Sequence, residues 1–195
     1  MPKPPDLPPV DWTDVLARGA DWEAWIANAE NPERGAAMAI DAEGFAVPAA
    51  AAAELAALAK PVQVVAIAED WCGDVVRHAP VMAALARAAG GAVTVRWLAR
   101  ADAPEVFVRF LTCGGEAIPK FVFLSADLVE TGWWGPMPTA CRELIAAGKA
   151  CNDVVAARKL VGAAYAADPE RGEVVAELTQ RLRIAATVTL EPPAG

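Results

Sequence analysis

Two short runs rich in β-branched residues, VQVVAIA (62–68) and AVTVRWLA (92–99), constrain the fold more than any other feature of the chain. The first has the length and unbroken apolar character of a strand buried on both faces, and the second is a further predicted strand. Between them, apolar residues recur at helical spacing: Val75, Ala79, Met82 and Leu85. Two strands joined through a helix predict a parallel pair, because parallel strands need a crossover of about this length.

The next strands form a predicted hairpin. Ala103-Pro104 begins a helix that ends at the Gly114-Gly115 pair. KFVFL (120–124) and LVETGWW (128–134) follow, separated by a short turn, so they are expected to pair as antiparallel strands. The order of the elements implies an α/β fold with a mixed sheet, parallel and then antiparallel, and helices on both faces.

Further helices are predicted on either side of this central part. One is capped by Asp21 and one opens at Asn31-Pro32. The others span residues 48–60, 138–147, 152–167 and 169–182. Gly148 is interpreted as the end of the helix over 138–147, and Asp168-Pro169 as the cap and first turn of the last helix. The first ten residues are rich in proline and are predicted to be extended or disordered.

Composition excludes several classes of function. The 195-residue chain is 55% hydrophobic, which is enough for one well-packed core. Its net charge of −8, with lysine and arginine scattered, argues against nucleic-acid binding. No apolar run reaches the ~18 residues of a membrane span, and the N-terminal segment MPKPPDLPPVDW does not resemble a signal peptide. Four dispersed cysteines are too few for a secreted disulfide scaffold, so a cytoplasmic protein with reduced thiols is expected.

Three pieces of sequence carry a resemblance to a known family. Trp71-Cys72-Gly73 follows the first strand, Ala79-Pro80 lies in the next helix, and Ile118-Pro119 precedes the hairpin. They resemble the W-C-G-P-C motif, the helix-kinking A-P and the I-P of the thioredoxin superfamily. The single-cysteine WCGD form is similar to a group of bacterial thioredoxin-like proteins. The resemblance implies a three-layer α/β/α fold, although a fold does not establish a function.

The resemblance also implies a division of the chain. Residues 1–60 form an N-terminal tail and helical extension, and residues 61–150 form the thioredoxin-like domain. Residues 151–195 form a C-terminal helical extension that packs on the same domain. The apolar stripe of the last helix can cover either the core or a second subunit, so an oligomer is an open alternative.

A site follows from the same resemblance. Cys72 is the implied reactive thiol, and Pro119, in the cis form that the family shows, leaves the backbone of Ile118 free to pair with an extended substrate. The implied substrate-binding residues are Trp71, Gly73, Asp74, Ile118 and Pro119. No cofactor is implied, and a single histidine with dispersed cysteines gives no metal-ligand spacing.

The chain departs from the family at three positions that bear on chemistry. Val75 stands in place of the second cysteine, Asp74 in place of the proline between the cysteines, and Ala66 in place of the buried acid. In a dithiol enzyme the second thiol resolves the mixed disulfide formed by the first. Ordinary dithiol turnover is therefore not expected.

A lone thiol at a helix start can still be reactive. Backbone N–H groups there favour the thiolate, whereas the carboxylate of Asp74 opposes it, so a modest net lowering of the Cys72 pKa is expected. Three chemistries remain: monothiol exchange with a small resolving thiol, sensing through sulfenic acid or a mixed disulfide, and trapping of partner cysteines. The partners would be protein or low-molecular-weight thiols and disulfides.

Two alternatives stay open beside this hypothesis. Cys72 can be a small buried apolar residue, and the whole domain a non-catalytic binding module with a thioredoxin-like fold. Trp133-Trp134 either lines a groove with Trp71 or packs the sheet edge under the last helices.

The remaining candidate residues receive structural interpretations. Cys113 could resolve Cys72 only if their Cα atoms came within about 7 Å, and its position predicts a helix end instead. Cys141 and Cys151 are interpreted as core or interface thiols. His78, four residues after Asp74, is interpreted as its partner in a surface pair.

Overall fold

The computed structural model describes residues 7–190. The prediction for the first ten residues therefore lies, for residues 1–6, outside the described part of the chain. Four strands form one sheet in the order β2-β1-β3-β4: β1 Val62–Ile67, β2 Val93–Leu98, β3 Lys120–Leu124 and β4 Glu130–Trp134. Strand β1 is parallel to β2 and antiparallel to β3, and β3 is antiparallel to β4. The predicted mixed sheet is confirmed.

Helices surround this sheet. Within residues 7–190 they are α1 Trp12–Arg18, α2 Trp22–Ala27, α3 Pro32–Gly44, α4 Ala49–Ala56, α5 Gly73–Ala88, α6 Pro104–Phe107, α7 Thr139–Ala150, α8 Val154–Ala167 and α9 Gly172–Thr187. The Asp21 carboxylate accepts from the N–H of Ala24 and so caps α2, and Asn31 caps α3 by accepting from Arg34. The two predicted starts are correct, because these side chains bind backbone donors that the first helical turn leaves free.

A row of aromatic side chains follows the strands across one face of the sheet. Ala66 pairs with Trp97 on one side and with Phe121 on the other, and Phe121 pairs with Trp134. The rings of Phe121 and Trp134 stack with centroids 5.6 Å apart. Their burial, with that of the aliphatic residues of β1, forms the core of the molecule.

Helices cover this sheet from both sides. On the aromatic face, His78 of α5 meets the edge of Trp134, and Glu177 of α9 accepts from the indole N–H of that tryptophan at 2.6 Å. On the opposite face, Phe110, in the 3-10 turn after α6, packs against Trp133. The predicted α/β/α layering is therefore confirmed.

The C-terminal helices differ in their bounds from the prediction. Helix α7 continues through Gly148 to Ala150, so the interpretation of Gly148 as a helix end is wrong. A Cβ at Gly148 would lie 2.4 Å from the Cβ of Ala157 in α8. The glycine serves the close approach of two helices, and not a C-cap.

Helix α9 starts later than predicted. It begins at Gly172 and not at Pro169, although the carboxylate of Asp168 does cap it by accepting from the N–H groups of Gly172 and Glu173. Within residues 7–190 no single helix has the length and apolar character to cross a membrane, and α3 with α4 satisfies both only as a pair bent by 86°.

Candidate functional site

Cys72 occupies the junction between β1 and α5. It is the N-cap residue of α5, and its side chain is half-buried. The thiol Sγ donates to the carbonyl oxygen of Ile118 at 3.4 Å. The Ile118–Pro119 peptide bond is cis. The structure thus brings Cys72, Ile118 and Pro119 together, although Ile118 lies 46 residues further along the chain.

The environment of Cys72 favours the thiol over the thiolate. Burial raises the pKa of Cys72, and the negative charges of Asp74 and Glu69 raise it further. The backbone N–H groups of Val75 and Asp74 act in the opposite direction, but burial outweighs them. The expected net lowering of the Cys72 pKa is therefore wrong, because the sequence does not reveal how deeply the sulfur lies.

The N-terminal helices hold the loop that carries Cys72. Asp70 is buried, and its carboxylate accepts from the backbone N–H of Asn31 at 2.6 Å. The guanidinium of Arg34, on α3, donates to the carbonyl oxygens of Trp71 at 2.6 Å and of Asp70 at 3.3 Å. Helix α3 therefore fixes the backbone immediately before the cysteine.

Trp71 lies on the rim of the site with 49% of its surface exposed. The guanidinium of Arg100 lies 5.3 Å from the centroid of its ring and pairs with Glu69 at 2.9 Å. Trp133 and Trp134 do not join it, since Trp134 is buried against Phe121. Packing at the sheet edge under the last helix is therefore confirmed for Trp134, whereas Trp133 packs against Phe110 on the opposite face.

Asp74 and His78 are connected through a third side chain. Tyr165 of α8 donates its hydroxyl to the carboxylate of Asp74 at 2.8 Å, and the same oxygen lies 3.2 Å from His78 Nε2. His78 is fully buried, so its interpretation as a surface residue paired directly with Asp74 is wrong. Burial, helped by nearby Arg77 and Arg171, lowers the pKa of His78 to about 3 and keeps the ring neutral.

The carboxyl group of Asp74 is itself perturbed. Burial raises its pKa, while the hydrogen bond from Tyr165 and the charges of Arg77 and Arg158 limit the rise. The pKa of the Tyr165 hydroxyl is raised as well, by burial and by the negative charge of the neighbouring Asp74. The three side chains form a hydrogen-bonded chain that runs inward from the start of α5.

Lys120 is a buried cation behind the site. Its ammonium donates to the hydroxyl of Thr112 and to the carbonyl oxygen of Gly135 at 3.1 Å, and it lies 4.4 Å from the centroid of Trp133. No carboxylate within residues 7–190 forms an ion pair with it. Burial, together with the charge of Arg142, lowers the pKa of Lys120 to about 7.

A pocket of about 640 Å³ opens beside the thiol. Its wall is built from the start of α5, from α7 and from α8, the last of which lies in the predicted C-terminal extension. The lining residues are Cys72, Gly73, Asp74, Arg77, Thr112, Ala117, Pro136, Met137, Arg142, Ile145, Lys149, Val154, Arg158, Val161 and Tyr165. Of the predicted site residues, Cys72, Gly73 and Asp74 face this pocket.

The other cysteines lie apart from this arrangement. All four cysteines are unpaired. Cys113 is exposed in a turn with φ of +49°, after a helix that ends at Phe107, so its prediction as a helix-end residue is wrong. Cys141 is buried as predicted, whereas Cys151 is exposed and does not belong to the core. Within residues 7–190 no group of three or more potential ligands is arranged to hold a metal ion.

Comparison with known proteins gives three results. A family model described as thioredoxin matches residues 19–152. The crystal structure of a protein of unknown function from Pseudomonas aeruginosa superposes with a TM-score of 0.68 and 15% identity, over 89% of this chain and 98% of that one. An HIV epitope scaffold superposes with the same TM-score, identity and coverage. At such low identity these structures show a shared fold alone. No curated protein matches the chain.

Proposed function

The chain belongs to the thioredoxin family, whose model matches it over residues 19–152, and from this premise we propose that it is a monothiol protein that exchanges disulfides through Cys72. The position of the sulfur carries the proposal. It lies at the start of α5, faces a pocket, and is 3.4 Å from the carbonyl oxygen of Ile118, which precedes Pro119. A thiol that served only to fill the core would have no need of this open side.

The exchange proceeds in two steps. In the first, the thiolate of Cys72 attacks one sulfur of a substrate disulfide, the S–S bond breaks, and the leaving thiolate takes up a proton. In the second, an external thiol attacks the mixed disulfide and releases Cys72, so that the external thiol ends in the new disulfide. Val75, fully buried where a second cysteine would stand, makes the external thiol necessary.

The raised pKa of Cys72 sets the pH range of this chemistry. Only the thiolate attacks, so the rate of exchange increases with pH until Cys72 is deprotonated. Because the Cys72 pKa is raised, this increase continues to a higher pH than for an ordinary thiol. The same observation favours a second candidate function, a binding module in which Cys72 stays a protonated thiol. We place either function in a reducing compartment such as the cytoplasm, where unpaired cysteines persist.

Adduct formation in the folded protein separates the two candidates. The protein is treated with bis(hydroxyethyl) disulfide at several pH values, and the adduct on each cysteine is measured by peptide mass spectrometry. Exposed Cys113 and Cys151 serve as internal references, and Cys72→Ser as the control. We expect a mixed disulfide at Cys72 that rises with pH and is released by added thiol. If Cys72 reacts only after denaturation, monothiol exchange is wrong and the binding module remains.

A further inference from the structure

The pocket beside Cys72 carries an excess of positive charge in an acidic protein. The chain has a net charge of −8. Four basic residues nevertheless line this one pocket, with Asp74 as the single acidic residue: Arg77, Arg142, Lys149 and Arg158. The carboxylate of Asp74 is already engaged by the hydroxyl of Tyr165 at 2.8 Å.

These cations form no salt bridge within the described residues, although Arg77 and Arg158 lie close enough to Asp74 to lower its pKa. None of them forms an ion pair, whereas other arginines of the chain do, for example Arg171 with Asp41. Arg77 donates to the carbonyl oxygen of Asp168 at 2.7 Å, and Arg142 to that of Met137 at 2.8 Å. Neutral acceptors thus hold two guanidinium groups in place, and neither group is neutralised by a salt bridge.

The rest of the wall is apolar. It is formed by Ala117, Pro136, Met137, Ile145, Val154 and Val161. The volume of about 640 Å³ lies in the range of small-molecule sites, roughly 300–1,000 Å³. A folded protein could insert only a side chain or two into such a space, whereas a small molecule could fill it.

We propose that this pocket binds a low-molecular-weight thiol, or its disulfide, that carries carboxylate or phosphate groups and an apolar segment. The anionic groups meet the four cations, the apolar segment meets the α7–α8 wall, and the sulfur reaches Cys72 at the pocket's edge. This inference rests on the proposed function, and it names the substrate class of the same site. The covalent step is the exchange already described, with the anionic disulfide as the electrophile.

A ligand that cannot exchange tests binding separately from chemistry. Thiodipropionate is a dianionic thioether with no disulfide, and its binding to the full chain is measured by ligand-detected NMR. We expect Arg158→Gln to weaken binding by up to about fivefold, because an exposed charge contributes up to about 1 kcal/mol. The matched control is Lys159→Gln, which removes the same charge from the next position of α8, outside the pocket lining.

Exchange rates then test the substrate class. Mixed-disulfide formation at Cys72 is compared for dianionic dithiodipropionate, neutral bis(hydroxyethyl) disulfide and dicationic cystamine. We expect the dianion to react fastest and the dication slowest. In Arg158→Gln the differences among the three rates should be smaller. Exposed Cys113 and Cys151 report the intrinsic reactivity of each reagent.

Failure of the inference and failure of the proposed function are distinguishable. If thiodipropionate does not bind, or if Arg158→Gln and Lys159→Gln behave alike, the anion site is wrong even though the neutral disulfide reacts at Cys72. If the dianion binds but no disulfide reacts at Cys72, the thiol chemistry is wrong and the ligand is an anion without a thiol role.

Discussion

At the scale of single residues, the charge of Asp74 opposes the reactivity of Cys72. The carboxylate raises the pKa of the Cys72 thiol, while the backbone N–H of the same residue lowers it. Replacement by asparagine removes the charge and keeps both the backbone donor and an oxygen that can accept from Tyr165. We expect Asp74→Asn to lower the Cys72 pKa and to speed alkylation by iodoacetamide at pH 7 by up to about tenfold.

The control for this prediction is Glu43→Gln, which removes an exposed charge from the end of α3. The alkylation rate of Cys72 should not change in that variant. An unchanged rate in Asp74→Asn as well would show that the charge of Asp74 does not contribute to the Cys72 pKa.

Lys120 leads to a prediction on stability. Its pKa is about 7 in the folded protein and 10.5 when unperturbed. Between these values the unfolded chain holds a proton that the folded chain lacks, so this residue makes the free energy of unfolding increase with pH. The slope is at most about 1.4 kcal/mol per pH unit. We expect Lys120→Met to lose this increase.

Urea unfolding at several pH values from 7 to 10 gives the comparison for Lys120. We expect the unmodified protein to gain stability relative to Lys120→Met as the pH rises. The free energy of unfolding of the variant minus that of the unmodified protein is therefore largest at pH 7. Parallel curves for the two proteins would mean that Lys120 keeps its proton in the folded state throughout this range.

A recognisable sequence motif decides which site residues the sequence reveals. Cys72, Gly73 and Asp74 share one short motif at a strand-helix junction, so local pattern was enough to select them. Tyr165 lies 91 residues after Asp74, and nothing in its surroundings distinguishes it from a helix residue that packs locally. Arg158 is equally inconspicuous, because a pocket wall made by tertiary packing leaves no local signal.

At the scale of elements, α3 acts as a brace for the loop before Cys72. Arg34 donates to the carbonyl oxygens of Trp71 and Asp70, which have no helical partner. We expect Arg34→Gln to speed amide hydrogen exchange in residues 69–73 by about tenfold, which corresponds to a loss of about 1.4 kcal/mol from two charge-assisted hydrogen bonds.

Glu33→Gln is the control, since it changes an exposed charge on the same turn of α3. The predicted effect of Arg34→Gln is local, with the exchange of β3 unchanged. Faster exchange throughout the sheet would instead show that Arg34 supports global stability and not the loop.

Elements with a strong period or a clear cap were predictable from the sequence, and those fixed by packing were not. Strand β1 and helix α5 follow from the apolar pattern, and α2 from its cap. The sequence predicts too early an end for α7, because a glycine that allows close packing against Ala157 of a neighbouring helix cannot be distinguished in the sequence from a glycine that ends a helix. Helix α9 starts later than predicted because Arg171, the residue before it, adopts a left-handed backbone conformation with φ of +57°. An arginine does not indicate such a conformation in the sequence.

At the scale of the whole molecule, the sheet depends on a helix that lies outside the matched family region. The family model ends at residue 152, whereas α9 starts at Gly172. Its buried side chains include Val174, Val175, Leu178 and Leu182. Glu177 of the same helix accepts from the indole of Trp134 and from the N–H of Thr139. Helix α9 is therefore part of the core.

Removal of α9 should consequently unfold the domain. Four large side chains at about 1.5–3 kcal/mol each contribute about 6–12 kcal/mol, which equals most of the roughly 5–15 kcal/mol net stability of a typical domain. We expect a fragment of residues 1–170 to show no cooperative urea transition and no near-ultraviolet circular dichroism from its tryptophans, whereas the full chain shows both. A cooperative transition in the fragment would mean that the sheet is stable without α9, and that this helix is an extension and not a layer of the core.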